Sequence, residues 1–230
     1  MTLAELQDQV GSLSSPSKMP CHGYSIPAKA CNVGAKLRKV ANSVCSSCYA
    51  LKNRYMFNNV QTAMTKRLAS LSHNITLWER NLTELINRKE KSGYFRWHDS
   101  GDLQSMEHLT AINNIANSLS HIKFWLPTRE RSLVGSWTAQ NKISSNLTIR
   151  LSASIVGTGL SSPTVGNYTI NTSSVGWASS AFHCPAPEQN NACGSCRACW
   201  DRDIPNTNYH LHWTRKQKTH GLTYSFVSTT

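Results

Sequence analysis

Acidic residues are scarce in this chain. Its 230 residues hold 12 Asp and Glu against 24 Lys and Arg, a net charge of +12, and the resulting field favours polyanionic partners or an anionic cofactor. The basic residues are spread from Lys36, Arg38 and Lys39 through Lys66 and Arg67 to Arg215, Lys216 and Lys218. With no single basic recognition helix, nucleic acid, a host protein and a merely solvated basic surface all remain open. Long apolar runs are also missing: no window reaches the ~18 continuous apolar residues that span a bilayer, so no membrane partner is expected. The opening Met1-Thr-Leu-Ala-Glu-Leu-Gln lacks a basic segment followed by an apolar one, and export is not expected. Absent too are a Walker loop, HExxH and G-x-S-x-G, which removes the common nucleotide-binding, zinc-protease and serine-hydrolase signatures.

Cysteine, in contrast, is present eight times. An early group reads Cys31-x13-Cys45-x2-Cys48, and a late one reads Cys184-x8-Cys193-x2-Cys196-x2-Cys199. In a reducing compartment, cysteines at x2 spacing are more often metal ligands than disulfides. The late run resembles the thiols that wrap a cubane cluster in bacterial ferredoxins, so a [4Fe-4S] cluster is expected ahead of zinc. Three thiolates on a cubane leave one iron open to an outside ligand, and four close it. Cys21 or His22 is a candidate fourth ligand for the early group, and Cys45-x2-Cys48 with Cys193-x2-Cys196 has the form of a split zinc site.

Residues 1–20, rich in Ser and Pro, read as a loosely held leader. A single domain is expected over residues 21–213, followed by a basic tail over 214–230. Apolar residues stepping by three or four from Val60 to Ile86 predict one long amphipathic helix. Short apolar runs at 93–97, 122–126, 147–151 and 174–177 then alternate with helix-like stretches at 106–119 and 133–143. That order predicts parallel strands with crossover helices: an α/β, incomplete (β/α) barrel-like domain with cysteine-rich metal-binding loops near both ends. Residues 157–173 read as a loop and 208–213 as a strand whose His210 and His212 share one face.

Such folds put function beyond the strand C-termini. Three of the few acids, Asp99, Asp102 and Glu130, fall there, and the convergence of strand ends predicts a polar pocket of His98, Asp99, Asp102, Arg129, Glu130 and Ser152. His98 is a candidate base. Asp99 and Asp102 have the alternative role of capping the next helix.

The segments Ile26-Pro-Ala-Lys-Ala-Cys31-Asn-Val-Gly34, Val44-Cys-Ser-Ser-Cys-Tyr-Ala50, Phe95-Arg-Trp-His-Asp-Ser-Gly-Asp102, Phe124-Trp-Leu-Pro-Thr-Arg-Glu130 and Cys193-Gly-Ser-Cys-Arg-Ala-Cys-Trp-Asp201 resemble the bacteriophage gene-product-88 family. The resemblance implies a viral protein acting in the host bacterial cytoplasm. A more distant likeness is to radical S-adenosylmethionine enzymes, in which three cysteines after the first strand hold the cluster and a Gly-Gly-Glu-like segment holds the methionine amine. That likeness implies S-adenosylmethionine as a cosubstrate. Cys31, Cys45 and Cys48 would ligate the cluster, and Ser100-Gly101-Asp102 would stand for the amine-binding segment. Arg129, Glu130 and Ser152 would position cosubstrate or substrate, and the late cysteines would resemble an auxiliary cluster site. The family's x3 and x2 spacing is replaced here by x13 and x2.

Overall fold

A computed structural model describes residues 1–160, 162–165, 168–176 and 181–211. Seven strands form one parallel sheet: β1 (Gly23–Tyr24), β2 (Tyr94–Trp97), β3 (Lys123–Thr128), β4 (Leu147–Ser152), β7 (Asn171–Val175), β8 (Phe182–His183) and β9 (Asn206–Tyr209). A separate hairpin pairs β5 (Thr164–Val165) with β6 (Tyr168–Thr169). The order across the sheet is β1-β2-β3-β4-β7-β9-β8, and every pairing within it is parallel. The predicted α/β parallel architecture is therefore present, as an open sheet whose edges β1 and β8 do not pair with each other. The expected loop at 157–173 holds the hairpin and the start of β7, which begins at Asn171 rather than at 174, and the strand expected at 208–213 sits earlier, at Asn206–Tyr209. Trp177, His212 and the basic tail lie outside the described residues.

Register follows from alternation along the strands. Phe95, Trp97, Phe124, Leu126, Leu147, Ile149 and Leu151 enter the main apolar core. Packed against them are α4 (Ile75–Lys89), α5 (Met106–Ser118) and α6 (Arg131–Thr138). The intervening positions, Tyr94, Arg96, Trp125, Thr148 and Arg150, face the other side, because successive strand residues point to opposite faces. There the segment 198–202 covers them: Trp200 Nε1 donates to the Phe95 carbonyl at 2.8 Å, and Thr148 Oγ1 donates to the Trp200 carbonyl at 2.8 Å. Both faces of β4 are buried as a result.

Two expectations need correction. The opening residues are not a loose leader, since Leu3–Val10 form helix α1 with a capping box in which Thr2 and Glu5 bond reciprocally. Leu6 and Val10 are buried in the main core, and the Val10 carbonyl accepts from Tyr24 Oη at 2.5 Å. Trp78 Nε1 in turn donates to that hydroxyl at 2.9 Å. The single helix expected from Val60 to Ile86 is two, α3 (Asn58–His73) and α4. The break is Asn74, whose backbone is extended and whose Oδ1 accepts the Leu77 amide at 2.9 Å. This is the N-cap chemistry for which Asn leaves a helix interior. The apolar stripe continues across the cap, so periodicity hid it.

At the loop after β2, Gly101 has φ +86°. A β-carbon there would sit 2.3 Å from Ile26 Cγ1 and 2.8 Å from the Ile26 carbonyl oxygen, so only glycine allows the β1 and β2 loops to meet. Changing Gly101→Ala should therefore cost about 2–4 kcal/mol through overpacking and backbone strain. Urea unfolding measures this, and an unchanged midpoint would show that the contact yields freely.

Candidate functional site: two groups of buried thiols

The early thiols lie on the connection that leaves β1. Cys31 ends a turn at Ala28–Ala30 and opens α2 (Asn32–Leu37). That helix start is tied to the sheet by Glu130, whose Oε1 accepts the Val33 amide at 2.9 Å. Cys45 sits in a turn at Val44–Ser47 capped by Ser43 Oγ, which accepts the Ser46 amide at 3.0 Å. This turn is strapped to the connection after β4, because the Val44 amide donates to the Ser154 carbonyl at 2.8 Å and the Val156 amide to the Asn42 carbonyl at 3.0 Å. Gly34 packs close to both sulfurs: the place its β-carbon would occupy is 3.0 Å from Cys31 Cβ, 3.6 Å from Cys45 Sγ and 3.7 Å from Cys31 Sγ.

Burial pushes the Cys31 thiol up to about 12, with the Asp102, Cys48 and Cys45 charges adding to the rise and Arg38 opposing it. Burial also raises Cys45, against the pull of Arg129. These thiols hold their protons near neutrality, and a metal would have to displace them. Among the described residues, no group of three or more His, Cys, Asp or Glu side chains is arranged to hold a metal ion. All eight cysteines are free thiols.

The residues expected to form one polar pocket divide between different tasks. Asp102 is a backbone clamp: it accepts the Leu103 amide at 2.8 Å, Thr128 Oγ1 at 2.6 Å and the Arg129 amide at 2.9 Å. Burial lifts its carboxyl to about 6 in spite of these bonds. The carboxylate that the radical-enzyme likeness would aim at an amine is already engaged by its own loop. Asp99 accepts from Tyr55 Oη at 2.9 Å, and its carbonyl accepts from Tyr49 Oη at 2.5 Å. Ser152 pairs with Ser173 at 3.1 Å, and Ser100 gives its carbonyl to the Ile26 amide at 3.1 Å.

His98 turns away from these groups. It has φ +52° and is 4 % exposed, with its ring 5.2 Å from that of His108 and 6.1 Å from that of Trp97. Among the described residues, neither ring nitrogen has a hydrogen-bond partner. Desolvation, aided by Arg96, holds its pKa down at about 3. An imidazole so placed sits in the aromatic wall between sheet and helices.

The late group lies on the other face of the sheet. Cys199 Sγ is 3.1 Å from Tyr209 Oη, and Cys193 Sγ is 3.7 Å from Met19 Sδ. Burial pushes Cys199 up to about 12 and also raises Cys184 and Cys193. The charges of Cys184 and Cys196 act on Cys193, and that of Cys196 acts on Cys184. His210 is exposed beyond β9.

A family model for gene product 88 matches residues 2–202. The chain belongs to the gene-product-88 family. No curated protein and no solved structure matches it. The family match takes in all eight cysteines and begins one residue before α1, so the buried N-terminal helix lies within the family's common span. Reading the family member's sequence alone missed Arg96 and Arg150. Arg96 lies over the Trp125 ring, 4.6 Å from its centroid. Arg150 is fully buried beneath the late cysteines. Their signal was a cation in the middle of a buried strand, a position that charged side chains rarely fill without partners.

His98 gives the family member a measurable acid sensitivity. Its folded pKa is depressed to about 3, so its contribution to stability is complete above the ordinary histidine value near 6.5 and is lost as pH falls toward 3. Asp102, raised to about 6, has the opposite sign and loses stability as pH rises through 6. The His98→Asn variant, whose new residue tolerates positive φ, should lose about 2 kcal/mol less than the parent between pH 7 and pH 5. Denaturant unfolding at the two pH values tests this, and parallel losses would show that His98 takes up no proton on unfolding.

Proposed function

We propose that this chain is a phage-encoded iron–sulfur protein of the host bacterial cytoplasm, in which Cys31, Cys45 and Cys48 hold a [4Fe-4S] cluster. The observation that carries the reading is the set of three free thiols on the connection after β1, two of whose sulfurs approach Gly34. A cubane takes three or four thiolates and structural zinc four ligands, and neither donor set stands preassembled among the described residues. A set of three thiols rather than four favours a cubane with one open iron over a closed structural zinc site. When bound, a cubane on three thiolates supplies one iron with an open coordination position.

Around it, Arg38 and Arg129 favour the ionised sulfurs, and Glu130 fixes the helix that starts beside Cys31. Activity of the radical S-adenosylmethionine kind is the finer form of this proposal. In it Arg129 and Ser152 position the cosubstrate, and Asp102 acts from within its clamp.

A second reading has its own support in the anchoring of the late loop by Arg150 and in the +12 charge. In that reading a metal, iron–sulfur or zinc, staples a non-catalytic basic module that binds nucleic acid or a host protein.

Anaerobic purification separates the two. A brown protein with absorbance near ~400 nm, as iron–sulfur chromophores show, and with a spectrum that changes on adding S-adenosylmethionine, is the expected result. A colourless zinc protein whose DNA affinity falls steeply with salt would replace the enzyme with the module. Cys196→Ser should remove the metal of the late group while the early group keeps its own, and unchanged metal content would refute that ligand assignment.

A further inference from the structure

We infer that residues 49–57 form a platform for single-stranded nucleic acid, on which Tyr49 and Phe57 stack bases while Lys52 and Arg54 hold the phosphates between them. The inference rests on the second reading above for its partner class, nucleic acid, and holds whichever metal the thiols carry. The charge pattern selects a polyanion. Between Asp8 and Glu79 the chain has no Asp or Glu, while nine Lys and Arg fall in the same stretch. Within it, Tyr49-Ala-Leu-Lys-Asn-Arg-Tyr-Met-Phe57 interleaves aromatic rings with cations.

Two short turns carry this run, Tyr49–Leu51 and Asn53–Met56, in contact with each other and, through the second, with α3. They turn apolar groups outward. Among the described residues the large hydrophobic side chains that stand exposed include Tyr49 at 42 %, Met56 at 44 % and Phe57 at 58 %, and Phe57 is the most exposed of them all. Arg54 is exposed beside them and Lys52 is half-buried. A cluster of exposed apolar side chains marks an interaction surface more than the same residues scattered singly would.

The backing of the run is held in place. Tyr49 Oη donates to the Asp99 carbonyl, Tyr55 Oη donates to Asp99 Oδ2, and Gln61 Nε2 donates to the Tyr55 carbonyl at 2.5 Å. The Tyr49 and Tyr55 rings lie 5.6 Å apart. Asp99, the carboxylate that meets the run, is thereby engaged from the inside, and a ring already held loses little freedom when a base stacks on it.

Single strands fit this surface better than the other polyanions. Every unpaired base offers a π-face to an aromatic ring, whereas a duplex keeps its bases stacked on one another. An anionic membrane is met by an amphipathic helix with its basic and apolar faces separated. Here cations and rings alternate over turns of 3 and 4 residues. Stacking and phosphate contacts read neither base sequence nor the 2′-hydroxyl, so DNA and RNA should bind alike.

The test uses the full chain, purified without oxygen, and the fluorescence anisotropy of labelled oligothymidine and oligouridine of about 15 nucleotides, a duplex of the same length being the comparison. The two single strands should bind with similar affinity and about tenfold tighter than the duplex. Phe57→Ala should weaken single-strand binding about tenfold at an unchanged salt slope, and Phe57→Trp should keep it. Arg54→Ala should lower the slope of log affinity against log salt by about 0.7. Both side chains are exposed, and far-ultraviolet circular dichroism checks that the variants fold. A duplex bound as tightly as the single strands, with Phe57→Ala without effect, would overturn the platform and leave nucleic-acid binding standing. If no oligomer binds, or if vesicles of phosphatidylglycerol and phosphatidylcholine bind in their place, the platform and the partner class on which it rests both fall.

Discussion

Arg150 is the interaction on which the second face of the sheet depends. Its side chain is 0 % exposed, and its donors reach five backbone carbonyls: Nε to Cys199, Nη1 to Thr172 and Ile204, Nη2 to Ala198 and Asp201. A guanidinium has five N–H donors, so none is left over. The loop it bonds has little regular structure, and its carbonyls would otherwise be buried without partners at a cost of about 1–3 kcal/mol each. One strand residue thereby supplies what a ladder or helix would have supplied. Because Leu151 and Ile149 on either side of Arg150 enter the main core, the late cysteine loop is fixed to the most deeply held strand of the protein.

Acidic side chains perform the same task at the other end of the strands. In a chain with so few acids, Asp102 and Glu130 both accept backbone amides rather than standing open in a pocket. They hold the connection after β2 to the one after β3, and the one after β3 to the helix behind Cys31. Irregular loops at the strand C-termini are thus held by charge-assisted hydrogen bonds, which contribute more than neutral ones. The polar groups fix the loops from which the early cysteines project.

The parallel sheet was legible in the sequence because its strands are short apolar runs spaced by helical patterns, and β2, β3 and β4 fall where those runs predict. Helix α1 was not legible. Leu6 and Val10 offer only one apolar turn, and the Ser- and Pro-rich stretch behind them has the composition of a linker, yet Tyr24 and Arg67 bond its backbone. The cap at Asn74 was masked by apolar residues that keep helical spacing on both sides of it. In the site, the cysteines and the strand-end acids were visible as residue types, but their division of labour was not. Whether a carboxylate points at a substrate or at its own loop amides is decided by backbone geometry, which spacing does not encode. The approach of the segment before β1 to the late cysteine loop was hidden for a similar reason, since the Cys193 amide and the Lys18 carbonyl it meets are more than 170 residues apart, beyond the reach of any local motif.

The balance of charge around the thiols couples the two halves of the proposed chemistry. Burial holds Cys21, Cys31 and Cys199 protonated, each pushed up to about 12, so at neutral pH these sulfurs contribute no negative charge to offset the arginines beside them. Coordination to a metal would remove those protons and add anions to those of Asp99 and Asp201, whose charges already act on Arg96 and Arg150. The cost of burying the cations would then be offset further in the metal-bound protein. On this argument the arginines stabilise the loaded state relative to the empty one.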